Sequence, residues 1–272
     1  MSEAPSERTH MSGAGTVPLL SARRLHKSFG AVSAAADVTI EVDAGQRLSL
    51  IGSNGAGKTT FVNMITGYLK PDEGSIELAG RDITPLQPRA IARLGVARSF
   101  QIPQLFGELN VLDNMLVATA CQAGRFSFWQ GAHRADAIGR ADDLLRRFGL
   151  LEHRARRVAE LPGGVRKLLD IAMALTGQPQ LLLLDEPTSG VSAEEKFPMM
   201  DIIMSALGQL PLTVLFVEHD MDMVHDISDW VIVMAEGRVI AEGTPDDISS
   251  NPAVIDAYLG MHQGRSLLED TL

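Results

Sequence analysis

The chain has 272 residues, 45% hydrophobic, 21% charged and 5% aromatic, and its 24 basic and 34 acidic side chains leave a formal charge of −10. At roughly 150 residues per domain that length gives one or two packed domains and excludes disorder over most of the chain. A net acidic balance with no basic block argues against nonspecific nucleic-acid binding as the main activity, because that needs Lys and Arg to displace counterions from phosphates.

In chain order, residues 1–16 mix Ser, Glu, Gly and Ala without the apolar stretch of a secretory signal and read as a disordered tail. A strand is predicted over Arg47–Ile51 and an apolar helix over Phe61–Leu69. Between about 102 and 160 strand signals disappear, and 111–121 and 134–148 read as helices. Val165, Leu168, Leu169, Ala172 and Leu175 form an apolar stripe on a helix that begins after Gly163-Gly164. Strand-type runs follow at Leu181–Leu184, Thr213–Val217 and Trp230–Met234, and Glu236-Gly237 marks a tight hairpin. Alternating strands and helices indicate an α/β sheet that is antiparallel in part, with a helical subdomain at about 102–165 inserted in it. Residues 261–272 read as a second tail.

Cys121 is the single cysteine, so an internal disulfide and a cysteine metal cage are both excluded, and a reducing compartment is expected. No uncharged apolar run approaches the roughly 18 residues of a membrane helix. Any membrane role must come through a partner.

Residues Gly52-Ser53-Asn54-Gly55-Ala56-Gly57-Lys58-Thr59-Thr60 follow a strand and precede a helix, the spacing of a phosphate-binding loop. A triphosphate needs several backbone N–H groups pointing inward and the positive end of a helix behind them. Glycines at 52, 55 and 57 permit that nest. Lys58 would reach the β- and γ-phosphates, and the Thr59 hydroxyl would sit on Mg²⁺. ATP with Mg²⁺ is the expected ligand pair.

The Leu181–Leu184 run ends in Asp185-Glu186-Pro187, although an apolar strand needs no acids at its end for folding. Asp185 would hold the magnesium through water, and Glu186 would act as general base on an attacking water. The Thr213–Val217 run ends at Glu218-His219-Asp220, where a histidine could contact a γ-phosphate.

In order and spacing these pieces resemble the ATP-binding cassette (ABC) ATPases over about residues 19–260. The resemblance implies a P-loop NTPase (RecA-like) α/β core with an antiparallel β subdomain and an inserted α-helical signature subdomain. It also implies an adenine-stacking aromatic, a Gln loop that acts as sensor between nucleotide and permease and as a metal ligand, a signature loop and a switch histidine. Phe29, Gln101, the run Leu161-Pro162-Gly163-Gly164-Val165 and His219 stand at those places. Taken singly, Phe29 as a core aromatic and Gln101 as an ordinary loop amide are equally open. Val62–Tyr68, Val217–Val224 and Asn251–Gly260 resemble the ATPase subunits of branched-chain amino-acid and urea importers. That subfamily implies a pair of ATPases on the cytoplasmic face of the membrane, two membrane permeases and a periplasmic solute-binding protein.

Three positions depart from the family. Where the resemblance leads one to expect Ser and Gln in the signature loop, Pro162 and Val165 stand. In the family that loop acts on the partner's ATP, so Pro162 costs a hydroxyl bond to phosphate worth about 1.5 to 3 kcal/mol. Expressed wholly in the transition state, that is roughly ten- to 150-fold in rate. A heterodimer with one strong and one weak site is the expectation, with a weakly hydrolysing ATP switch as the alternative. Ser192 stands where many members carry Asp, and its Ser-x-x-Glu spacing to Glu195 predicts a helix cap. An arginine cluster at 134, 140, 146, 147, 154, 156 and 157 reads as a solvated face or, alternatively, a docking surface for acidic permease loops. Met199, Met200 and Met204 read as core filler.

Overall fold

The computed structural model describes residues 17–123 and 131–256, with the backbone alone for 122–123 and 131–134. Both expected tails, residues 257–260 of the C-terminal motif and the Arg134 side chain lie outside the described residues. The elements run β1 (Leu20–Phe29), β2 (Val32–Val42), β3 (Arg47–Gly52), α1 (Lys58–Ile65), β4 (Glu73–Leu78), β5 (Arg81–Asp82), α2 (Pro88–Arg93) and β6 (Val96–Ser99). They continue through α3 (Val111–Ala123), α4 (Gly131–Arg147), α5 (Gly163–Ala174), β7 (Leu181–Asp185), α6 (Ala193–Leu207), β8 (Thr213–Val217), α7 (Met221–Ile227), β9 (Trp230–Ala235), β10 (Arg238–Gly243) and α8 (Pro245–Ser249).

Two sheets result, an antiparallel one in the order β2-β1-β4-β5 and a six-stranded one in the order β10-β9-β3-β8-β7-β6. The latter is parallel from β9 to β6, and β10 adds an antiparallel edge. Strands β7 and β8 are buried at every position, as expected of a parallel sheet covered on both faces. Their side chains alternate between two cores. Leu181, Leu183, Leu215 and Val217 pack with Phe61, Val62, Leu25 and Ile40, between the parallel sheet, α1 and the antiparallel sheet. Leu182, Leu184, Val214 and Phe216 pack with Leu169, Ala172, Ile203 and Phe148 on the helical side. Truncating a fully buried residue such as Phe216 to Ala costs about 3–5 kcal/mol.

The expected strands at 47, 181, 213 and 230 form, each within one residue of its predicted bounds, and β9 and β10 make the hairpin about Glu236-Gly237. The helix expected over Phe61–Leu69 instead runs Lys58–Ile65. It stops because Gly67 takes φ +76°, with so little space that a Cβ there would lie 2.6 Å from Ile91 Cδ1. Gly163 and Gly164 lie in the first turn of α5 and not ahead of it. Strands β1 and β2 were not among the predicted runs. In β1, Leu20, Ser21 and Ala22 are buried consecutively, and a register shift between Ala22 and Leu25 surrounds Arg24 at φ +49°. That bulge erases the period-two pattern that reveals a strand.

Between β6 and β7 the described residues hold helices, three short 3₁₀ turns and no strand. Arg146 pairs with Asp143 at 2.6 Å, Arg154 with Asp142 at 2.6 Å, and Arg147 donates to Gln209 at 2.8 Å. Those pairings favour the solvated-face reading of the arginine cluster. Met199 and Met200 are buried and Met204 packs against them, as expected of core residues.

Candidate functional site

The site is built where β3, β7 and β8 end. Strand β3 runs between β9 and β8, and its last residue, Gly52, has φ +149° with a Cβ position only 2.2 Å from the Met234 carbonyl oxygen. Gly57, which caps α1, has φ +102° and would place a Cβ 2.4 Å from the Ala34 carbonyl oxygen. Only glycine fits at either position. The loop between them is tied down by bonds from Ala56 N–H to Ser53 O (3.1 Å) and from Gly237 N–H to Ala56 O (3.0 Å). A further bond, from Ala36 N–H to Gly237 O (2.8 Å), joins β2 to the same hairpin.

No side chain caps α1, so its first-turn amides keep their donors for another acceptor. Lys58 is 9% exposed, and its Nζ donates to Gly52 O (2.6 Å) and Ser53 O (3.0 Å). Burial lowers its pKa, and the charges of Glu186 and Asp185 act in the opposite direction. Asn54, Gly55 and Thr59 are exposed, and Ser53 and Thr60 half-buried.

Three side chains from three strand ends meet beside this loop. Gln101, two residues beyond β6, donates from Nε2 to Glu186 Oε2 at 2.8 Å, and His219, two beyond β8, places Nδ1 3.8 Å from Glu186 Oε1. Glu186 is the first residue after β7 and adopts φ +45°, a left-handed conformation costing about 1–2 kcal/mol for a residue with a Cβ. Its N–H bonds Val217 O at 3.0 Å, which fixes the turn. Gln101 is therefore not a free loop amide.

Behind these groups stands a polar layer that the sequence did not disclose. Arg98 pairs with Asp185 at 2.7 Å, donates to Asn63 Oδ1 at 2.7 Å and stacks its guanidinium 4.9 Å from the Phe100 ring centre. Lys167 Nζ donates to Phe100 O at 2.7 Å and Gln101 O at 3.1 Å. Asp170 Oδ2 accepts from Ser99 Oγ at 2.6 Å. Burial lowers the Lys167 pKa and raises that of Asp170. Glu218 is 2% exposed, its Oε1 has no hydrogen-bond partner, and burial pushes its pKa up to about 7 against the backbone N–H of His219.

Lys167 and Asp170 lie on the side of α5 opposite its apolar stripe, where helical periodicity assigns charged residues to solvent. Arg98 lies in a strand too short to register as one. The usable signal for Glu218 was its position at the end of an apolar strand, the same signal that singled out Asp185.

Phe29 is 53% exposed at the tip of the β1–β2 hairpin, opposite Val32, so the core-aromatic alternative is excluded. At the start of α5, Leu161 is buried, Pro162 occupies the N-cap position without a side-chain cap, and its carbonyl accepts from Arg166 N–H at 3.0 Å. Gly163 is exposed, and Gly164 and Val165 are half-buried. Among the described residues no hydrogen bond joins 161–165 to 52–60. Ser192 caps α6, its Oγ bonding Glu195 Oε2 at 2.9 Å, as its spacing predicts.

Comparison with known proteins places this geometry. The family described as ABC transporter matches residues 35–189, and that described as branched-chain amino acid ATP-binding cassette transporter matches residues 238–260. The chain is 41% identical over 250 residues to the high-affinity branched-chain amino acid transport ATP-binding protein LivG of Salmonella typhimurium, covering 89% of this chain and 98% of that one. It is 37% identical over 251 residues to BraF of Pseudomonas aeruginosa, a protein of the same description, covering 89% and 98%. The crystal structure of the ADP conformation of MJ1267, an ATP-binding cassette of an ABC transporter, superposes with a TM-score of 0.79 at 32% identity, covering 90% of this chain and 100% of that one.

Proposed function

The chain belongs to the ABC transporter family of ATP-binding subunits, and on that footing we propose that it hydrolyses ATP to drive import of branched-chain or related small amino acids. The observation that carries the catalytic part is the convergence of Gln101, Glu186 and His219 beside the Lys58 loop. The cargo reading is supported by the C-terminal family match and by what LivG and BraF are named for.

In this reading the uncapped amides of α1 and the Lys58 ammonium hold the terminal phosphates, and Phe29 stacks on the base. Glu186 takes a proton from water as the water oxygen bonds to the γ-phosphorus and the bond to the ADP oxygen breaks. His219 lies where it can hold a γ-phosphate oxygen, and Gln101 steadies the Glu186 carboxylate. Among the described residues no three His, Cys, Asp or Glu side chains gather around a metal position. That fits Mg²⁺, which keeps waters and phosphate oxygens and takes few protein ligands. Thr59, Asp185 and Gln101 offer the oxygens that would hold it, and when bound it neutralises phosphate charge. Phosphate release by the assembled transporter, compared with its Glu186→Gln form, tests the reading; equal rates would refute it.

For partners we infer a second ATPase subunit, two permeases and a solute-binding protein that delivers the cargo. Held by those permeases, the chain would sit peripherally on the cytoplasmic face; among the described residues no helix is long and apolar enough to cross a membrane. A groove of about 410 Å³ lined by Tyr68, Arg89, Ile91, Arg98 and Phe100 leads to the Gln101 loop and suits a permease segment. Co-purification of membrane subunits with the tagged chain tests this.

A second reading, an ATP-driven switch that hydrolyses weakly, is favoured by one observation: Pro162 leaves the α5 N-terminus without a hydroxyl. In a heterodimer that weakness would fall on the partner's ATP. ATP-driven closure without phosphate release would establish it.

A further inference from the structure

Helix α5 is buried on two opposite sides. Leu168, Leu169 and Ala172 enter the core, while Lys167 and Asp170 on the other side are 3% and 7% exposed. The bonds of these two charged groups go to a narrow set of acceptors and donors. Lys167 Nζ donates to the carbonyl oxygens of Phe100 (2.7 Å), Gln101 (3.1 Å) and Asp185 (3.4 Å). Asp170 accepts from Ser99 Oγ (2.6 Å), Phe100 N–H (3.2 Å) and Gln104 N–H (3.2 Å). Every partner lies in segment 99–104 or at the end of β7.

Fold stability alone does not call for such a layer. Burying an ammonium and a carboxylate costs desolvation, and a well-packed apolar pair of the same volume is commonly as stable. What the charged pair provides is directional. A loop that would otherwise bond to water is held by five bonds to one helix face, and the carbonyl of Asp185 by a sixth. The same helix begins at Pro162, and Lys167 lies about 6 Å along its axis from Gly163 at 1.5 Å per residue. Helix, Gln101 loop and strand end thus form one hydrogen-bonded unit.

We propose that Lys167 and Asp170 are positioning residues that lock the Gln101 loop and the Asp185 strand end to α5, so that nucleotide at the chain's own phosphate loop shifts residues 161–165, which serve the partner's ATP. The proposal rests on the nucleotide reading above. Without the lock, segment 99–104 would follow Glu186 while α5 stayed in place. With it, the two ATP sites of a dimer communicate through one side of one helix. Site-to-site coupling of this kind typically amounts to about five- to 150-fold.

Amide hydrogen exchange on the full-length chain carrying Glu186→Gln, kept dilute enough to remain monomeric, tests it with ATP and Mg²⁺ added. Nucleotide is expected to slow exchange in 52–60 and, through the lock, to change it by at least about fivefold in 161–168. Adding Lys167→Met should leave the response at 52–60 and abolish that at 161–168. Lys167→Arg, which restores donors to the same carbonyls, should recover it. Asp170→Asn, nearly isosteric, decides the point should Lys167→Met fail to fold. A response at 161–168 that survives either loss of charge overturns the proposal, as does its absence in the parent chain. No response at 52–60 in the parent overturns the nucleotide reading, and this proposal with it.

Discussion

Glu186 Oε1 and His219 Nδ1 face each other at 3.8 Å across the ends of neighbouring strands β7 and β8, while Gln101 holds the other carboxylate oxygen at 2.8 Å. A carboxylate gripped on one side and open on the other is suited to accept a proton at a fixed place. Replacing Glu186 by Gln removes the base and leaves the Lys58 loop untouched. Phosphate release should fall by about 10²- to 10⁴-fold with ATP binding retained, as read by a release assay beside equilibrium binding.

Lys58→Ala should act on binding. Its ammonium provides a charge-assisted bond to phosphate, and losing about 1.5–3 kcal/mol weakens retention roughly ten- to 150-fold. Titration of a fluorescent ATP analogue measures it.

Glu218 makes stability depend on pH. Burial raises its folded pKa from 4.5 to about 7, so the folded state holds a proton that the unfolded chain has released. The favourable contribution is complete below the unfolded value and disappears as pH rises through about 7. Wild-type unfolding free energy should therefore fall across that window, by at most about 3 kcal/mol from this group. Glu218→Gln should lack the fall. Urea titrations at about pH 5, 6, 7 and 8 give the comparison, and parallel curves for the two proteins would contradict it.

Arg98→Met would strand the Asp185 carboxylate, which is 12% exposed at its side chain. Removing one partner of a buried pair costs about 3–5 kcal/mol, whereas Arg98→Met with Asp185→Asn should recover much of the loss. Denaturant midpoints of the single and double variants decide it.

Pro162→Ser should have two separable effects. Pro162 has φ −56° and ψ 156°, a conformation in which serine caps helices, so stability should rise by about 1 kcal/mol. In the assembled complex turnover should also rise, by roughly ten- to 150-fold at full expression. A higher melting temperature with unchanged turnover would confine the departure to a structural role.

Much of this was legible in the sequence because it is local. The phosphate loop, the strand-end acids and the Ser192 cap each lie within a few residues of chain, and burial makes β7 and β8 continuous apolar runs. What stayed hidden is non-local or irregular. Arg98 meets Asp185 across 87 positions, and Lys167 meets Phe100 across 67, so no local pattern joins either pair. The β1 bulge broke an alternation that would have exposed the second sheet. Phe29 could be told from a core aromatic only by its exposure, and Gln101 from an ordinary loop amide only by its bond to Glu186.

The crowding of Gly52 against Met234 and of Gly57 against Ala34 bears on how genetic variation at this loop is interpreted. Any side chain at 52 would push β3 away from β9, and one at 57 would push the start of α1 away from β2, before ATP was ever encountered. Variants there should surface as poor expression and proteolysis, whereas those at Lys58 should accumulate as folded, inert protein. Loss of transport alone cannot distinguish the two kinds; steady-state abundance can.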